Sequence, residues 1–172
     1  ALGERSPAAL LDAPASGRLS VGEALTNVAA ASIRHVSDVR LSANWMAACG
    51  EDGEAERLYD TVAAVSALCR DLAIAIPVGK DSLSMQTRWQ DGGATRAVVA
   101  PVSLVVSAFA PVDDVRRTLT PQLRADCGDT DLLLVDLGQG KHRLGGSAFA
   151  QAYNAIGEHA PETDRLRTEI VA

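Results

Sequence analysis

The rhythm of apolar and polar positions changes several times along this chain, and each change marks an element. In "EAERLYDTVAAVSALCRDLAI", Leu58, Val62, Val65, Cys69 and Leu72 recur at steps of three and four with charged residues between them, which predicts an amphipathic helix. Upstream, small apolar residues dominate from about Arg18 to Ile33, and Pro14, Ser16 and Gly17 read as the entry to another helix. Between the two helices, Val36, Val39 and Leu41 in "HVSDVRLSANW" suit a pleated strand. After the second helix "AIPV" resumes extended structure and "GKDS" interrupts it. "LSMQTRW" then alternates like a half-buried strand, and "QDGG" predicts a hairpin turn whose partner is the apolar run "AVVAPVSLVVSAFAPV". Further on, "LLLVDL" predicts a short buried strand, "GQGKHRLGGS" a glycine-rich loop, and "SAFAQAYNAI" a helix entered at Ser147.

This order predicts an α/β (α+β) fold, with helices packed on a mixed sheet. A change of character around "TLTPQLRADCGDTD" divides the chain into an α/β domain over 1–127 and the start of a second unit over 128–172. The chain opens on Ala1, without methionine, so a piece of something longer is expected.

At 172 residues there is enough chain to bury a real core, and with 47% hydrophobic residues but only 3% aromatic ones that core is built from Ala, Val, Leu and Ile. A net charge of −6 and the lack of any basic run argue against a nucleic-acid partner. The longest apolar run, from Ala97 to Val112, is too short for a bilayer and contains Pro101, so no membrane partner is expected. Cys49, Cys69 and Cys127 are odd in number and have no C-x-x-C spacing; neither a disulfide framework nor a zinc site is signalled, which fits a reducing, cytoplasmic setting.

Two stretches carry candidate chemistry. In "GEALTN" Glu23 and Asn27 stand four apart, so a helix presents their oxygens on one face. Such a pair suits a hard cation such as magnesium, and equally a solvated polar stripe. In "PVGKDSLSM" Gly79 permits a tight backbone turn, Lys80 brings a positive charge and Ser82 a hydroxyl, a combination that suits phosphate. It is no Walker A loop, and an ordinary exposed turn would look the same. The glycines of "GQGKHRLGGS", just ahead of a helix, are a further anion candidate, with Lys141 and His142 as possible assistants.

Taken together, "LGERSPAALLDAPASGRLSVGEALTNVAAASI", "RLSANWMAACG", "IPVGKDSLSMQTRW", "LTPQLR" and "LLLVDLGQGKHRLGGSAFAQAY" resemble, in this order, phosphoribosylformylglycinamidine synthase in its large, single-chain form. The resemblance covers about Leu2 to Tyr153. It implies an aminoimidazole ribonucleotide synthetase-like domain followed by the start of its partner domain. It also implies a ligase of purine biosynthesis that uses ATP, magnesium and glutamine-derived ammonia to convert formylglycinamide ribonucleotide to its amidine. A glutaminase domain would lie beyond Ala172, and none of the three cysteines matches its nucleophile. Residue by residue, the resemblance makes Glu23 and Asn27 magnesium ligands and places Gly79, Lys80 and Ser82 at the nucleotide and substrate. The small form of the enzyme has asparagine where Lys80 stands here; an ammonium cannot coordinate a cation, so phosphate contact is the role expected of it. Whether the site is catalytic or a structural nucleotide site stays open. So does membership of a sister group such as aminoimidazole ribonucleotide synthetase or selenophosphate synthetase. Exposed apolar surface is expected where a partner domain would pack.

Overall fold

The computed structural model describes residues 1–163; the last part of the predicted second unit, residues 164–172, lies outside it. The first strand, β1 (Leu2–Glu4), leads through a 3-10 turn at Ser6–Leu10 into helix α1 (Ala13–Val28). Asp12 caps this helix by accepting the N–H of Ala15 at 2.8 Å, and Pro14 sits in the first turn, where no backbone donor is needed. The helix therefore begins and ends about five residues earlier than the small-residue pattern predicts.

Strand β2 (Arg40–Met46), helix α2 (Glu54–Asp71) and strand β3 (Ala75–Ser82) form a parallel β–α–β unit. Strands β4 (Gln86–Asp91) and β5 (Ala94–Val99) make a separate antiparallel hairpin, and β6 (Ser103–Phe109) returns to the main sheet. The main sheet has the order β1-β6-β2-β3, antiparallel except for β2 and β3. This is the mixed sheet with packed helices that the sequence implies. The hairpin turns at Gly92 and Gly93, both with positive φ (58° and 86°), as a tight two-residue turn requires. The long apolar run is shared out: its first residues complete β5, and the rest, after Pro101, become β6.

One face of the sheet carries the core. Leu41 and Ala43 of β2 and Leu104, Val106 and Ala108 of β6 pack against Val21, Ala24, Leu25 and Val28 of α1 and Val65, Leu68, Cys69 and Leu72 at α2. The buried stripe of α2 differs from the predicted one at three positions: Thr61 and Leu68 are buried and Val62 is 41% exposed. A Cβ at Gly17 of α1 would stand 2.6 Å from the Thr61 methyl, so this turn of α2 is pressed directly against the neighbouring helix. Thr61 tolerates the burial because its hydroxyl donates to the Arg57 carbonyl at 2.7 Å.

Val36, expected in a strand, lies in a 3-10 turn at Val36–Asp38 ahead of β2. Two further expectations fail. "GKDS" does not interrupt the extended structure but forms the second half of β3. Gly79 is needed there for close approach and not for a turn: a Cβ would lie 2.3 Å from the Ala43 carbonyl oxygen of β2. The irregularity comes earlier, where Arg40 pairs with Ala75 and Ser42 with Val78, so that β3 has one extra residue around Pro77, a bulge on the edge strand where a proline is tolerated. The second failure is "LLLVDL". It forms no strand, and Leu132, Leu133 and Leu134 are 82%, 90% and 92% exposed. Its apolar run reads as a central strand, yet no described strand pairs with it.

At Gly3 a Cβ would fall 2.0 Å from the Ser20 carbonyl oxygen and 2.6 Å from the Ala24 nitrogen, both backbone atoms of α1. Gly3→Ala is therefore expected to destabilise the chain by about 3 kcal/mol, at the upper end of overpacking costs. Gly50→Ala, with nothing within 4 Å of its Cβ, should stay within about 0.5 kcal/mol of wild type. Urea midpoints of the two variants check this. Burial also pushes the Cys69 thiol up to about 11 from an ordinary 9.0. The folded chain holds that proton while the unfolded chain releases it, so stability should fall as pH rises from about 9 to about 11. Cys69→Ala should flatten that slope in denaturation midpoints taken across the same range.

Candidate functional site

Helix α1 lies on β1 closely enough for its side chains to reach the strand backbone. Glu23 Oε2 accepts the N–H of Glu4 at 2.7 Å, and Glu23 Oε1 pairs with the Arg5 guanidinium at 2.7 Å. One turn further on, Asn27 donates from Nδ2 to the Leu2 carbonyl at 2.9 Å. The predicted one-face pair is thus real as geometry, and both members hold α1 to β1. Pinning the Asn27 amide nitrogen leaves its Oδ1 as the group available to a ligand.

Beside this pair lies a cavity of about 290 Å³, lined in part by Arg5, Gly22, Glu23, Thr26, Lys141 and Glu162. Lys141 belongs to the glycine-rich loop, which the fold brings to α1. That loop does not present a ring of open donors. Asp136 accepts the N–H groups of both Gly138 (2.9 Å) and Gly140 (2.6 Å), so its own carboxylate holds the place an anion would take. An aspartate two residues before the first glycine is the signal that identifies such a turn. Ser147 caps the short helix α3 (Ala148–Ala152) as predicted, accepting the Ala150 N–H at 3.1 Å.

Lys80 and Ser82 stand elsewhere, on the edge strand β3, with the Lys80 ammonium donating to the Ser82 hydroxyl at 3.1 Å. Their edge is opposite to that of Glu23. Strands β6 and β2 intervene between β1 and β3, a separation of roughly 14 Å at the usual strand spacing. The two candidate sets are therefore not one cluster. A single cross-strand row, Glu4–Val105–Asn44–Lys80, runs from one to the other. Asn44 was not singled out by the sequence; its Oδ1 is buried without a hydrogen-bond partner, next to Lys80 in register. Arg5 was also missed, because nothing in the sequence places residue 5 against residue 23.

For magnesium the donor chemistry of Glu23 and Asn27 fits: two hard oxygens, one of them already facing a positive group in Arg5. They supply only part of a shell, since among the described residues no group of three or more His, Cys, Asp or Glu side chains could hold a metal ion. Among the same residues no helix is long and apolar enough to cross a membrane.

Two solved structures from Thermotoga maritima resemble the chain: PurLQS, with 15% identity and a TM-score of 0.48, and phosphoribosylformylglycinamidine synthase II, with 16% identity and a TM-score of 0.47. In each case 70% of this chain is covered but only 18% of the other, so the chain spans less than a fifth of the length of either. The family description FGAR-AT PurM_N-like domain matches residues 1–111, from β1 through β6, including both candidate sets. By that match the chain belongs to the FGAR-AT PurM_N-like domain family.

Proposed function

We propose that this chain is part of the synthase portion of phosphoribosylformylglycinamidine synthase in its large, single-chain form, acting in purine biosynthesis. The observation that carries this reading is the family match over residues 1–111, within which the Glu23 helix and the Lys80 strand occur in the order the resemblance requires. The overall reaction converts formylglycinamide ribonucleotide, glutamine, ATP and water to the amidine, glutamate, ADP and phosphate. The amide oxygen of the substrate takes the γ-phosphoryl group and ADP departs. Ammonia then adds at that carbon, and phosphate leaves with the oxygen. A glutaminase domain elsewhere in the longer protein supplies the ammonia, and the whole works in the cytoplasm.

In this reading Glu23 and Asn27 offer oxygens to magnesium, which when bound offsets the charge of the nucleotide phosphates. Lys80 contacts phosphate, with Gly79 keeping its strand close to β2 and Ser82 orienting the ammonium through their hydrogen bond. Residues 1–127 form the first unit and 128–172 the beginning of its partner.

A second reading has one specific observation in its favour. Glu23 and Asn27 both bind the backbone of β1, which is how a nucleotide site that braces the fold, and does no chemistry, would be built. Glu23→Gln separates the two in the intact enzyme, because it keeps an acceptor for the Glu4 N–H while removing the carboxylate charge. If the site serves the reaction, amidine formation should fall by at least about 10-fold, the lower end of what even outer-sphere metal partners cost, with the melting temperature little changed. If it braces the fold, turnover survives and thermal stability and retained nucleotide fall together. No glutamine- and ATP-dependent amidine formation by the wild-type enzyme would overturn the assignment. Lys80→Ala should weaken nucleotide affinity by roughly 10-fold, as loss of a charge-assisted contact does; isothermal titration checks it.

A further inference from the structure

We propose that Arg5 is the resident counter-cation of Glu23 and sets the affinity of that carboxylate for a divalent ion, which enters as the guanidinium leaves. The inference rests on the metal reading of Glu23 and Asn27 given above and assigns a role to a residue that reading does not use.

The geometry points to exchange of one cation for another. Glu23 keeps one oxygen on the Glu4 N–H, which fixes the carboxylate against β1, and gives the other to Arg5 at 2.7 Å. A cation binding the second oxygen must take the position of the guanidinium, because two positive groups cannot share one oxygen at that distance without strong repulsion. Arg5 can yield without moving the backbone. Its side chain is 52% exposed, whereas that of Glu23 is 25% exposed and held by the strand. Its other contact among these groups is with the neighbouring Glu4 carbonyl at 3.1 Å.

The surroundings decide how much this matters. The adjoining cavity is lined by three cationic side chains (Arg5, Lys141, Arg143) and two carboxylates (Glu23, Glu162), and Glu162 is itself paired with Arg18. Removing the Arg5 charge leaves Glu23 Oε1 open to another cation. Arg5 is thus a positioning residue: it acts through Glu23 and keeps the carboxylate neutralised until a better cation arrives.

The test is manganese binding, followed by the electron paramagnetic resonance signal of the free ion, to the intact enzyme of which this chain is proposed to be part, and to its variants. Arg5→Gln should tighten binding by roughly two- to five-fold, the factor a partly exposed ion pair is worth. Arg5→Lys, which restores the charge, should return affinity to the wild-type value. Arg70→Gln removes the same charge from α2 and should leave affinity unchanged; equal tightening there would overturn the proposal in favour of a general charge effect. If Arg5→Gln binds like wild type while Glu23→Gln weakens binding, the counter-cation role is wrong and the metal reading stands. If Glu23→Gln binds manganese as well as wild type, or the wild-type enzyme binds none, the metal reading fails and this inference with it.

Discussion

The closeness of α1 to β1 is the constraint on which the rest of this domain depends. A helix normally meets a strand through side chains; here the strand backbone at Gly3 meets the helix backbone at Ser20 and Ala24, with no room for even a methyl group between them. That contact brings Glu23 and Asn27 within hydrogen-bonding reach of Glu4 and Leu2. It also accounts for Ser20 and Ala24, both buried and small where α1 faces Gly3: a larger side chain there would lift the helix and break both bonds. Packing and chemistry are one requirement at this edge of the sheet.

At the other edge the requirement is different. Strand β3 has β2 on one side only, and Gly79 lets the two backbones approach where a side chain would strike the Ala43 carbonyl. Lys80 then projects from a strand whose position is fixed, which suits a charged group intended for a ligand better than a loop does. The two edges are joined by the row Glu4–Val105–Asn44–Lys80, so a displacement of either outer strand is felt along a rigid pleat and not through a flexible connection.

Much of this was legible in the residues themselves. Helix α2 follows from its three- and four-residue spacing, and the hairpin from Gly92–Gly93, because both depend on local rules. "GKDS" reads as a break in the strand because Gly, Lys, Asp and Ser are all turn residues, yet the demand for a glycine comes from Ala43 on another strand. Val62 looked like core because its spacing fits, but the close approach of Gly17 turned Thr61 inward instead. The candidate pair Glu23 and Asn27 could be found from spacing alone, whereas Arg5 and Asn44 could not, since what makes them relevant is a contact across the fold. The family resemblance supplied what local rules could not: the order of motifs and hence the kind of domain.

The exposed leucines at 132–134 have a further consequence, for the chain in solution. A short run of bare aliphatic side chains with strand-forming character is the kind of segment through which identical molecules stack. Asp129 and Asp131 precede it and Asp136 follows, so two chains aligning in register would bring three carboxylates on each against their own copies. Those aspartates act as gatekeepers, and they make the self-association of this segment a matter of salt: high ionic strength, by screening them, lowers the barrier.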